Sequence, residues 1–226
     1  MVLINKKEKD ELLTKTQNKE TKYQELLAEQ IKKRDAFEKD LEKYEDQLKF
    51  IVNKKIIPKD YSEVFAWPLK NVFITQLFGY TSDSKRLYRS GTHSGLDLRA
   101  SIGTEVFAMA DGVVEGVGDT DIYCKGASFG KWVFIRYNNG LSSTYGHLSL
   151  TYAKKGDKVK AGDLVALSGN TGHSTGPHLH VTVYASDGVK VDKVPSISCS
   201  GKTFIMPIAA STSYLDPMLY LPKANP

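Results

Sequence analysis

Trp132-Val133-Phe134-Ile135-Arg136-Tyr137-Asn138-Asn139-Gly140-Leu141-Ser142-Ser143-Thr144-Tyr145 decides the fold. Two runs rich in β-branched, aromatic and hydroxyl residues flank an Asn-Gly pair. That is the pattern of two antiparallel strands joined by a tight turn, because the turn needs positive φ at its centre. Short strand-like runs recur on both sides, at 105–109 and 112–117 upstream and 178–184 downstream, and Asp187-Gly188 supplies a further turn pair. No amphipathic helix of useful length separates them, whereas parallel βαβ units require crossover helices. An all-β domain is expected, an antiparallel sandwich or open barrel with a groove.

Upstream the character changes. Residues 1–60 hold 15 Lys/Arg and 13 Asp/Glu, and the other 166 residues hold only 16 and 13. The first glycine is Gly79, all 18 glycines lie from there on, and Pro58 is the only proline of the first segment. A helical segment 1–57, a linker 58–66 and a β domain 67–226 ending in a C-terminal loop extension are therefore expected. Phe37, Leu41, Tyr44, Leu48 and Ile51 step by four and three, the heptad spacing of a coiled coil, with Leu13 and Leu27 further upstream. The same register turns Thr16, Glu20, Gln30 and Arg34 inward, so this coiled coil would be marginal. Its partner would be a second copy, an unseen helix or the β domain. A helix over residues 11–55 would reach roughly 65–70 Å.

Composition excludes several classes. The 226 residues are 41% hydrophobic, enough for one sizeable core and too many for a disordered chain. The net charge of +5 comes without the long basic runs of a dedicated nucleic-acid binder, so no nucleic-acid partner is expected. The longest apolar runs are a few residues, too short for a transmembrane segment, and residues 1–5 are too short for a signal peptide.

Chemistry concentrates in the histidines. There are five, His93, His147, His173, His178 and His180. His178 and His180 open a strand-like run, where residues two apart share a face with Cα atoms about 6–7 Å apart. One imidazole can then bind a metal while the other serves the water or substrate beside it. His93 and Asp97 in His93-Ser94-Gly95-Leu96-Asp97 would stand about 13 Å apart in a straight strand, so the backbone must bend at Gly95 for both to meet one ion. Two imidazoles and a carboxylate suit Zn²⁺ and leave a fourth tetrahedral position for water, the layout of a catalytic zinc site. His147, in Tyr145-Gly146-His147-Leu148, is the candidate second catalytic histidine, and His173 reads as a loop residue.

Taken together, His93-Ser94-Gly95-Leu96-Asp97, Tyr145-Gly146-His147-Leu148 and the 169–180 stretch ending Pro177-His178-Leu179-His180 resemble the three motifs of the lysostaphin/LytM-type zinc endopeptidases. Those enzymes cleave peptide cross-links of bacterial peptidoglycan. The resemblance runs from about residue 67 to 184 and implies one Zn²⁺ per chain on His93, Asp97 and His180, with His147 and His178 as the catalytic pair. It also implies peptidoglycan as substrate and a cell-envelope location, periplasmic or extracellular. The alternative is a non-catalytic adaptor of the same family that binds and activates another wall hydrolase. Such adaptors have usually lost zinc ligands, and all five positions are present here. Long helices ahead of such domains are familiar in the family, where they position or occlude the groove.

Cys124 and Cys199 lie outside the motifs, and an exported chain would allow a disulfide between them; two free thiols are the other reading. Gly201-Lys202-Thr203 lacks the upstream glycine of a phosphate loop, where Ser196 stands, and Asp121 takes the last glycine position of a dinucleotide fingerprint begun at Gly116 and Gly118. The turn Ala110-Asp111-Gly112 lacks the lysine that a biotinyl or lipoyl carrier would present.

Overall fold

The computed structural model describes residues 2–46, 64–81, 84–87, 91–196, 199 and 201–223. Leu48, Ile51 and residues 58–63 of the expected linker lie outside them. Helix α1 (Val2–Asp46) begins earlier than the heptad pattern required and is 45 residues long, about 68 Å. It contains no glycine or proline and is built from good helix formers. Pairs one turn apart lace its surface, such as Lys33 Nζ with Glu29 at 2.6 Å and Gln24 with Glu20 at 2.8 Å. Exposed pairs of this kind each contribute only about 0.2–0.5 kcal/mol, so packing at the end of the helix matters more.

Of the three expected coverings of the stripe, the described residues show the β domain. Phe37 is buried, and Leu41 and Tyr44 are partly buried, among side chains of the β domain itself. Phe37, Leu41 and Tyr44 of the stripe are thus covered by the chain's own domain, whereas Leu13, Tyr23, Leu26, Leu27 and Ile31 are exposed. No helix among the described residues is long and apolar enough to cross a membrane.

The strands are β1 (Ile74–Gln76), β2 (Gly79–Tyr80), β3 (Thr92–His93), β4 (Leu96–Arg99), β5 (Glu105–Phe107), β6 (Gly112–Asp119) and β7 (Lys131–Tyr137). They continue with β8 (Leu141–Thr151), β9 (Lys158–Val159), β10 (Leu164–Ser168), β11 (His178–Ala185), β12 (Val189–Pro195), β13 (Thr203–Ala209) and β14 (Tyr214–Leu215). One antiparallel sheet runs β1-β4-β11-β8-β7-β6-β9, with β10 joined to β5 and β8, and β14 joined to β11. β2–β3 and β12–β13 are separate hairpins, so the expected antiparallel all-β domain is one large sheet with two appended ribbons. The hairpin read from residues 132–145 is β7–β8, paired Val133 with Tyr145 through Arg136 with Ser142.

Both faces of the central strands are covered, which explains their nearly unbroken apolar runs. Val133 and Ile135 of β7, Leu96 and Leu98 of β4, and Leu179 and Val181 of β11 build one core. The residues between them turn the other way: Trp132, Phe134 and Tyr184 join Phe204, Met206 and Ile208 of β13 and Phe37 of α1 in a second core. A disulfide joins Cys124 to Cys199, Cα atoms 5.8 Å apart, and ties the segment before β13 to the β6–β7 connection.

Candidate metal centre

The alternation that fills the two cores also places the site. Leu179, Val181 and Val183 of β11 point into the first core, so His178, His180 and Thr182 point to the opposite face. Across the ladder His180 pairs directly with Asp97 of β4, whose neighbours Leu96 and Leu98 are likewise committed to the first core. The chain bends at Ser94 and Gly95, as the His93–Asp97 spacing required, and brings His93 on β3 to the same point. Gly95 is needed for closeness as well as for bending: a Cβ there would lie 2.5 Å from the Val181 carbonyl oxygen and 2.8 Å from the His180 ring.

One donor atom each from His93, Asp97 and His180 lies within 4.8 Å of the others, and all three residues are buried. His180 Nδ1 is 2.8 Å from Asp97 Oδ1, and His93 Nε2 is 3.2 Å from the same oxygen. His93 Nε2 and His180 Nδ1 are 3.2 Å apart. His93 Nδ1 faces the Leu77 carbonyl at 3.0 Å, and His180 Nε2 faces Thr182 Oγ1 at 2.9 Å. A carbonyl only accepts, so Nδ1 of His93 carries the proton and its Nε2 is a lone pair. When His180 donates outward to Thr182, two lone pairs and a carboxylate oxygen face one point, the donor set that a divalent cation takes up. The residues therefore fit a zinc ion, and the outward hydrogen bonds fix both rings for it.

The remaining pair stands beside this cluster. His178 Nε2 is 3.6 Å from Asp97 Oδ1, and its Nδ1 donates to the Gly176 carbonyl at 2.8 Å. His147 Nδ1 donates to the Thr171 carbonyl at 2.8 Å, and its ring centroid is 4.6 Å from that of His178 and 5.6 Å from that of His180. In both, Nε2 is left as the proton acceptor. His147 has φ of +58°, rare for a residue with a side chain, at the place where β8 leaves β11 and turns to β10. Such strain is concentrated at functional positions.

Burial holds His147 well below the ordinary imidazole value, and the nearby His178 and His180 push the same way, so it is neutral at pH 7. Burial also lowers His180. For Asp97 burial acts upward, but hydrogen bonds and charge from His180 and His93, when those rings carry a proton toward it, more than offset it and hold the carboxyl below the usual range.

All five expected residues thus converge. His173 is a loop residue, as expected, and its Nδ1 stands 4.0 Å from Glu38 of α1. The orienting groups Leu77, Thr171, Gly176 and Thr182 escaped the sequence reading. Thr182 alone left a signal, since it stands two residues beyond His180 and shares its face. A cavity of about 540 Å³ opens over His93, His147 and His180, and α1 lines part of it.

Residues 91–193 match the family model described as Peptidase family M23, a span that contains all five residues. This stretch of the chain is a Peptidase family M23 domain. Among its relatives, an uncharacterized metalloprotease of Haemophilus influenzae is 48% identical over 88 residues, 39% of this chain and 18% of that protein. The peptidoglycan DD-endopeptidase ShyA of Vibrio cholerae is 34% identical over 146 residues, 61% of this chain and 32% of ShyA. The solution structure of lysostaphin superimposes with a TM-score of 0.50 at 25% identity, covering 74% of this chain and 58% of that one. The chain spans less than a third of the length of these two curated relatives.

Proposed function

We propose that this M23 chain is a zinc-dependent endopeptidase that hydrolyses peptide cross-links or stem peptides of bacterial peptidoglycan in the cell envelope. The observation that carries the reading is the convergence of His93, Asp97 and His180 within 4.8 Å, with His147 and His178 beside them. The presence of all three candidate ligands favours an enzyme over a non-catalytic adaptor, and the relatives named as endopeptidases support the substrate.

Zinc bound by His93, Asp97 and His180 would supply Lewis acidity, polarising the scissile carbonyl and bringing the pKa of water to about 7. His178 takes the proton from the attacking water, its Nδ1–H held by Gly176 so that Nε2 faces the reaction. As the water oxygen bonds to the carbonyl carbon and the C–N bond breaks, the leaving nitrogen needs a proton. His178 gives the leaving nitrogen the proton it took from the water, and neutral His147, its ring centroid 4.6 Å from that of His178, assists that transfer.

The test is zinc content by elemental analysis together with release of soluble peptides from purified peptidoglycan, with and without chelator. About one zinc per chain with chelator-sensitive release is expected. Absence of zinc under metal-replete conditions would refute the enzyme and favour the adaptor.

A further inference from the structure

The cavity over the metal ligands is not closed by the β domain alone. Phe37, Glu38, Leu41, Glu42 and Glu45 of α1 form part of its lining. The helix is anchored there. Phe37 packs on Phe204 with ring centroids 4.7 Å apart, Tyr214 donates to Glu45 at 2.5 Å, and Ser196 donates to Asp40 at 3.2 Å. Between this anchored helix and the histidines the space remains open, about 540 Å³, a volume typical of sites that bind small ligands. A helix serving as a plug would fill that space, whereas this one borders it.

The lining also has a sign. Among the described residues it includes three carboxylates, all from α1, and no lysine or arginine. Glu45 accepts from Tyr214, and Glu38 stands 4.0 Å from His173 Nδ1. Glu42 is exposed and has no ion pair among the described residues.

We propose that α1 is a fixed wall of the substrate cavity and that Glu42 pairs with a free ammonium on the bound peptide. This rests on the peptidase reading and adds the chemical class the site selects: peptides bearing an uncapped amine, in preference to those whose amine is acylated. A carboxylate at a cavity rim attracts a cation on encounter and disfavours an anion in the same place. Exposure to solvent keeps the effect modest.

The experiment compares two stem peptides identical except that the side-chain amine is free in one and acetylated in the other. Cleavage is followed on the zinc-loaded full chain. Binding is followed by fluorescence anisotropy on the chelated full chain, where no cleavage occurs. The intact chain is expected to prefer the free amine about threefold to fivefold in both readouts. Glu42→Gln brings the ratio to about one, and Glu25→Gln, on the exposed part of α1 away from the cavity, keeps it. A ratio of one in the intact chain, or a preference that survives Glu42→Gln, overturns the assignment. Phe37→Ala loosens the helix and is expected to lower kcat/KM for both peptides; a rise for both would reveal a plug and overturn the wall. If binding discriminates while neither peptide is cleaved, the inference stands and the peptidase reading falls. Equal cleavage of both peptides sinks the inference and leaves the peptidase reading intact.

Discussion

Replacing Gly95 by alanine adds one methyl group at the most crowded point of the metal centre. The new Cβ would lie 2.5 Å from the Val181 carbonyl oxygen and 2.8 Å from Cε1 and Nε2 of His180. Ordinary contact begins near 3.4 Å, so the chain at Gly95 and the Val181 carbonyl must part by about 0.9 Å and the His180 ring must gain about 0.6 Å. Neither movement is free. The first pulls Asp97 from its cross-strand partner His180, and the second moves a ligand by more than the roughly 0.2 Å that a zinc site tolerates. Overpacking of this kind costs about 1–3 kcal/mol, and disturbing a metal site's supports lowers affinity about 10- to 100-fold. Gly95→Ala is therefore expected to lower zinc affinity by that factor, measured by competition with a chromophoric chelator. It is also expected to lower the Tm of the chelated chain. Unchanged zinc affinity in a variant that melts normally would refute the reasoning, because the contacts at Gly95 would then be slack.

Other expectations follow from the same geometry. His180→Ala should lose bound zinc while His178→Ala retains it and loses activity; equal zinc content in the two, by elemental analysis, would contradict the division of roles. Reducing the Cys124–Cys199 bridge reopens a loop of 75 residues and should lower stability by up to about 4 kcal/mol, read from denaturant midpoints before and after reduction. Phe37→Ala removes the ring packed on Phe204 and should destabilise the docked end of α1 by about 3 kcal/mol, seen as faster amide exchange in the helix than in β7 and β8.

Much of this was legible in the chain because strand periodicity is strict. A period of two requires that His178 and His180 share a face once Leu179 and Val181 enter the core, and the Asn-Gly turn fixes the β7–β8 hairpin from local chemistry alone. The bend at Gly95 was legible because no straight strand can bring His93 and Asp97 to one ion. Hydrogen bonds to backbone carbonyls were not. The orienting oxygens of Leu77, Thr171 and Gly176 come from loops, and any residue supplies the same carbonyl, so no side-chain pattern reports them. The positive φ of His147 was equally silent, because a histidine in that conformation is held by tertiary pairing and not by its own preference.

The heptad stripe shows a different limit. Spacing says that Phe37, Leu41 and Tyr44 lie along one face of a helix, but not what covers that face. A partner helix and a β-hairpin both satisfy the pattern, since each offers apolar side chains. Here the β12–β13 hairpin and its surroundings take Phe37, while the upstream Leu13, Leu27 and Ile31 remain exposed. The docked residues also set the helix rotation. With Phe37, Leu41 and Tyr44 committed to the second core, the neighbouring Glu38, Glu42 and Glu45 are carried to the rim of the cavity over the histidines. A stripe that stabilises the helix thereby determines which charges the cavity over the histidines presents.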